Sequence, residues 1–188
     1  MTRLPRLKRD QLDAAQRELF DTFVNGEKPG QRPRHPRLGD DGALEGPFNA
    51  RLFNAAIGAA MQQLGSAVRY GSSLTDRARE LVILAVAQEQ DCVYERYAHE
   101  DIGRAVGLSD QEIQELRHGR TPDSVDDYER VVLDSAWALL REGDLDDAAY
   151  AKARAVLDDR GMFELLALIG VYVSTALQLR VFRVTPPD

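Results

Sequence analysis

Cysteine is nearly absent from this chain. Cys92 stands alone among 188 residues, so no internal disulfide can form and nothing points to an oxidising compartment. Histidine is scarce too, with His35, His99 and His118 as the full set. No Cys/His cluster can complete a zinc site, and no metal is expected. Long hydrophobic runs are missing: the longest have about seven residues, well short of the roughly 20 that a membrane-spanning helix needs. The basic segment 1–9 has no apolar stretch behind it and does not read as a secretory signal. Positive charge is outnumbered, 24 Lys and Arg against 31 Asp and Glu, for a net charge of −7. That balance argues against a nucleic-acid partner, because phosphate binding needs a concentrated basic patch. The cluster Arg32, Arg34 and Arg37 is followed at once by Asp40 and Asp41. A phosphate-cradling glycine loop, a nucleophile elbow and a dinucleotide motif are also lacking, so no cofactor is expected. What remains is a cytoplasmic protein, with no membrane or nucleic-acid partner expected.

What is present is helical periodicity. At 44% hydrophobic and 29% charged, the composition is that of a globular chain with a sizeable core. Residues 10–24 place Leu12, Ala15, Leu19, Phe20 and Phe23 at helical spacing, and Asn25-Gly26 stops that helix. Residues 26–46, rich in Gly, Pro and Arg, read as a long arm too polar for a core element. Beyond Gly46-Pro47 a stripe from Leu52 to Val68 predicts a helix, and either Thr75 or Ser73 caps the next, which runs to about Gln88. Asp91 reads as the N-cap of a helix from Cys92 to Ala105, and Ser109–Glu112 as a capping box. Helices over 125–142, 146–157 and 163–182 complete the chain. No run of alternating β-branched residues suggests a strand. The expected fold is all-α, with seven or eight helices around a central helical hairpin. The expected division is 1–43, a helix and arm, and 44–188, the main domain.

The hairpin carries the chemistry. Leu81 to Ala87 are apolar on every side, which suggests a helix buried all round. Beside this run stand Glu80, Cys92, Glu95 and His99. Titratable groups next to a core helix need a reason to be there. Cys92, Glu95 and His99 fall at i, i+3 and i+7, on one helical face. If the chain turns near residues 89–90, Glu80 lies opposite His99; a continuous helix would hold them roughly 28 Å apart. Glu95 and His99, at i and i+4, can hydrogen-bond, suiting His99 for proton transfer. Cys92, at a helix N-terminus, is either a nucleophile or a small buried hydrophobe, and Glu95 one turn away disfavours its thiolate. Tyr94 lines a pocket or fills core. Arg96 either binds a substrate carboxylate or is a solvated helix residue.

Tyr70-Gly71-Ser72-Ser73-Leu74, Arg79-Glu80-Leu81-Val82-Ile83-Leu84, Tyr94-Glu95 and His99 together resemble the carboxymuconolactone decarboxylase and AhpD-like superfamily. Gly46-Pro47-Phe48-Asn49 and Asp159-Arg160-Gly161 resemble its longer carboxymuconolactone decarboxylase-like members. The resemblance covers roughly 44–184. It implies an AhpD-like helical subunit assembled as a homo-oligomer: dimer, trimer or hexamer. AhpD-like peroxidases carry a glutamate, Cys-x-x-Cys and then a histidine. Glu80, Cys92 and His99 match, but Glu95 stands at the second cysteine and Tyr94 at the histidine between the two. The decarboxylase-like branch carries Glu-Trp-x-x-His, which Glu95 and His99 match with Arg96 replacing the tryptophan. The resemblance therefore implies cofactor-free acid–base, lyase-type chemistry on a small organic acid or lactone. His99, Glu95 and Glu80 would act, and Tyr94 and Arg96 would contact substrate. A peroxidase-like thiol activity of Cys92 and a non-catalytic oligomeric scaffold are the alternatives.

Overall fold

The computed structural model describes residues 2–25 and 37–187. Most of the basic, proline-rich part of the expected arm, with His35, lies outside them. The described residues form eight α-helices and no strand: α1 (Ala14–Asn25), α2 (Pro47–Arg51), α3 (Ala55–Tyr70), α4 (Asp76–Glu89), α5 (Val93–Ala105), α6 (Asp110–Arg117), α7 (Asp127–Glu142) and α8 (Asp147–Val181). This is the all-α architecture that the periodicity predicts. The described residues divide into two compact units, residues 2–25 and 37–64 with 178–187, and residues 65–177.

In the first unit Leu12, Leu19, Phe20, Phe23, Leu44 and Leu52 form a common apolar core, with the Phe23 and Phe48 rings 5.0 Å apart. The end of the arm belongs to this core. Ala43 and Leu44 are fully buried, and Leu38 and Leu44 bridge across a tight turn at Gly39–Gly42. Reading all of 26–46 as too polar for the core misses this, because two apolar residues suffice once a turn aims them inward. Buried Asn49 accepts from the Leu7 amide at 3.0 Å and donates to the Pro5 carbonyl at 3.0 Å. Those bonds satisfy its amide and tie the N-terminal segment to α2.

The second unit is built around α4. Thr75 accepts a cap bond from the Ala78 amide, as expected. From Glu80 to Ala87 every residue is buried, because α5, α6 and α7 all pack against this helix. Its Val82, Ile83 and Val86 share a core with Leu165, Leu168 and Tyr172 of α8, while Leu81, Leu84 and Ala85 meet Ile113, Leu116, Leu133 and Trp137. A helix surrounded in this way has no polar face, which is why the sequence shows none.

Two expected helices, 146–157 and 163–182, run on as one broken element. Asp158 sits at φ 56 and accepts from the Gly161 amide at 2.9 Å, which caps the second half of α8. No charged residue lies between Leu165 and Leu179. The expectation that no stretch approaches a membrane span is corrected for α8, which is long and apolar enough to cross one because small and hydroxyl residues interrupt its apolar run without adding charge. Its Leu165, Leu168 and Tyr172 are nonetheless core residues of this unit.

Candidate functional site

The site begins with the turn between α4 and α5. The Cys92 amide donates to the Ala87 carbonyl at 2.8 Å and the Asp91 amide to that of Gln88 at 3.0 Å, closing α4 in a Schellman pattern. Asp91 occupies the left-handed position of that pattern, at φ 45. The expectation that Asp91 caps α5 is therefore corrected: Asp91 ends α4, and Cys92 is the N-cap of α5, with no side-chain cap bond. The chain reverses within three residues, and α5 packs against α4.

That reversal brings Glu80 and His99 together. His99 Nδ1 lies 2.7 Å from Glu80 Oε2, and both side chains are buried. Inside a protein such a bond is stronger than in water, and it fixes the ring's orientation. With Glu80 ionised, Nδ1 carries the hydrogen that the carboxylate accepts. Nε2 then keeps a lone pair and is the nitrogen able to take up or deliver a proton. The imidazole's partner is thus across the hairpin rather than Glu95, its neighbour on α5. Glu95 is nevertheless buried, in the first turn of α5, so two carboxylates flank the hairpin interior.

Cys92 is 1% exposed. Burial pushes its thiol up to about 11, and the charge of Glu95 acts in the same direction. A group held in this state is a thiol, not a thiolate, at neutral pH. Arg96 is turned to the hairpin's turn, with Nη2 donating to Asp91 at 3.0 Å and Nη1 to Gln88 at 3.4 Å. A carboxylate-binding role for it would have to compete with those bonds. Tyr94 is buried, and its ring meets Tyr97 edge-on at 6.0 Å. His118 is exposed at the end of α6, with Nδ1 2.7 Å from the Gln114 carbonyl oxygen. Its role is local. Among the described residues no group of three or more His, Cys, Asp or Glu is arranged to hold a metal ion.

One residue at the site escapes the sequence reading. Tyr172 of α8 presents its ring edge-on to His99, with centroids 5.1 Å apart and planes at 86°. Sequence periodicity makes it another inward residue of the last helix. The signal available was its chemistry: it is a hydroxyl-bearing aromatic within an uncharged helical run.

Comparison with known proteins agrees with the motifs. The model of the carboxymuconolactone decarboxylase family matches residues 55–136. No curated protein matches the chain in sequence at a significant level. Among solved structures, an uncharacterized peroxidase-related protein from Silicibacter sp. TM1040 superposes with a TM-score of 0.76 at 20% identity, covering 100% of this chain and 92% of that one. An uncharacterized peroxidase-related protein with an alkylhydroperoxidase AhpD core, from Ralstonia eutropha JMP134, gives 0.77 at 16%, covering 100% and 93%. The debrominase Bmp8 gives 0.72 at 13%, covering 97% and 91%. At these identities the structures speak for the fold. The family match is centred on the hairpin with the Glu80–His99 pair inside it, so residues 55–136 are similar to the carboxymuconolactone decarboxylase family, and the chain as a whole has the AhpD-like helical fold.

Proposed function

We propose that this protein is a cofactor-free acid–base enzyme of the decarboxylase-like kind, acting on a small organic acid or lactone. The observation that carries the reading is the buried 2.7 Å bond between Glu80 and His99. Glu80 accepts the Nδ1 hydrogen and orients the ring. In decarboxylation Nε2 of His99 takes the carboxylic-acid proton and returns it to the carbanion left when the carbon–carbon bond breaks and carbon dioxide departs. In lactone opening it takes a proton from the water that adds to the acyl carbon and gives it to the departing ring oxygen. Glu95, one turn before His99, favours the imidazolium formed in between. Burial of both carboxylates strengthens their effect on that cation, since the local dielectric is low. The protein works in the cytoplasm as a homo-oligomer.

The peroxidase-related descriptions of two structural neighbours favour a second reading, a thiol activity of Cys92. Its burial, its raised pKa and the lack of a second cysteine count against it. Assays of decarboxylation and lactone opening on three variants separate the readings. His99→Ala should lose on the order of a hundredfold or more in kcat and Glu80→Gln roughly tenfold to a hundredfold, while Cys92→Ser stays within about twofold. Loss of peroxide consumption in Cys92→Ser, with His99→Ala unaffected in the lyase assay, would transfer the assignment to the thiol. Turnover in neither assay would favour a non-catalytic scaffold.

A further inference from the structure

Three elements converge on one imidazole. Glu80 comes from α4, His99 from α5 and Tyr172 from the second half of α8. A hydrogen bond at Nδ1 restrains the ring along one axis but leaves it free to roll about that bond. The edge-on contact with Tyr172, its plane at 86° to the imidazole, opposes that rolling motion. We propose that Tyr172 is a positioning residue, whose ring, together with the Glu80 carboxylate, holds His99 in a single orientation with Nε2 directed to the substrate.

The contact is built to be rigid. Tyr172 is buried and shares its apolar cluster with Val82, Ile83 and Val86 of α4, the helix that carries Glu80. The ring is therefore seated on the same helix that carries the carboxylate. Asp158 ends the first half of α8 and caps the second, which sets the register that turns Met162, Leu165, Leu168 and Tyr172 inward. Burial also raises the tyrosine's pKa far above neutrality; Arg69 opposes the rise, and Glu80 and Glu95 add to it. The phenol accordingly stays protonated across any working pH range, and the contact does not titrate away.

The inference rests on the acid–base reading of His99 for its effect on turnover, and on geometry alone for its effect on the ring. The test reads both separately. Imidazole 15N NMR of the full-length protein reports the tautomer and heterogeneity of His99, with His35→Gln and His118→Gln variants used to assign its signals. The native protein should show one His99 species, protonated on Nδ1. Tyr172→Phe, which keeps the ring, should preserve that species and leave kcat within about twofold. Tyr172→Leu should give averaged or doubled His99 signals and lower kcat on the order of tenfold with KM little changed. A native His99 that already averages two tautomers overturns the proposal. So does a folded Tyr172→Leu with the native signals. Should Tyr172→Leu not fold, Tyr172→Phe decides, because loss of the single species there would assign the restraint to the hydroxyl. If the NMR result holds while His99→Ala remains active, the acid–base reading fails and the positioning inference stands.

Discussion

Cys92 shows how burial decides the chemistry of a residue that sequence alone leaves open. Its place at the start of a helix favours a thiolate, but desolvation and the Glu95 charge outweigh that and raise the thiol from 9.0 to about 11. At pH 7.5 this two-unit rise lowers the thiolate fraction about a hundredfold. Native-state labelling with a disulfide reagent should be at least about tenfold slower than that of free cysteine, because the smaller thiolate fraction outweighs the thiolate's higher nucleophilicity and burial adds to the effect, and should approach the free rate once the chain is unfolded in urea. Fast labelling of the folded protein would reopen the thiol reading. A second buried cluster, at the junction of α4, α6 and α7, makes an acid-stability prediction. Arg77 bonds Glu112 and Glu129, each at 2.6 Å, and Glu112 also accepts from the Ser109 amide and from Ser124. Burial alone would raise the Glu112 carboxyl, but these donors bring it from 4.5 down to about 2. Its folded value lies below its unfolded one, so its stabilisation is present above about pH 4.5 and is lost as pH falls toward 2. Glu112→Gln should lower stability by about 1–3 kcal/mol at pH 7 and flatten the loss between those two pH values. Urea titrations at several pH values check both.

The α4–α5 hairpin was legible at the level of elements for a definable reason. Unbroken apolarity from Leu81 to Ala87 followed by four polar residues marks the end of a buried helix. Equal distances from the turn then pair Glu80 with His99. What the pattern hides is which residue performs the turn. Asp91 looks like an N-cap by residue type, yet the carbonyls at the end of α4 need donors first, and the amides of Asp91 and Cys92 supply them. Serving that need puts Asp91 at φ 45, where an L-residue is strained. Asp91→Gly should raise stability by about 0.5–1 kcal/mol, since relief of that strain exceeds the loss of an exposed pair with Arg96. A lower denaturation midpoint would show that the Arg96 pair matters more than the backbone. Tyr172 was illegible for the opposite reason. Its contact with His99 joins helices far apart in the chain, and a side chain's tertiary neighbour leaves no mark on its own helical period.

For the molecule as a whole, the outer face of α8 is the feature that a monomer explains least well. Phe163, at 71% exposed, and Leu166 and Leu177, each about half exposed, lie along one face with Gly170 between them. Leu166 and Leu177 are three helical turns apart, so they point the same way. The helix carries no charge between Leu165 and Leu179, so nothing on this stretch would resist close approach by a second copy. Contiguous apolar surface of this kind marks an interaction site in proteins that remain in solution. The homo-oligomer expected from the family resemblance supplies an occupant, a second α8 laid across the first, with Gly170 allowing the backbones to approach. Light scattering coupled to size exclusion should find the native chain associated at micromolar concentration. Leu166→Glu together with Leu177→Glu should weaken association on the order of a hundredfold or more, because each carboxylate would have to be buried in an apolar contact. Both positions face outward, so the double variant should keep the native helix content and melting temperature. A native chain that is monomeric at high concentration would remove α8 as the interface. An oligomer untouched by the two glutamates would move the interface to another face of the subunit.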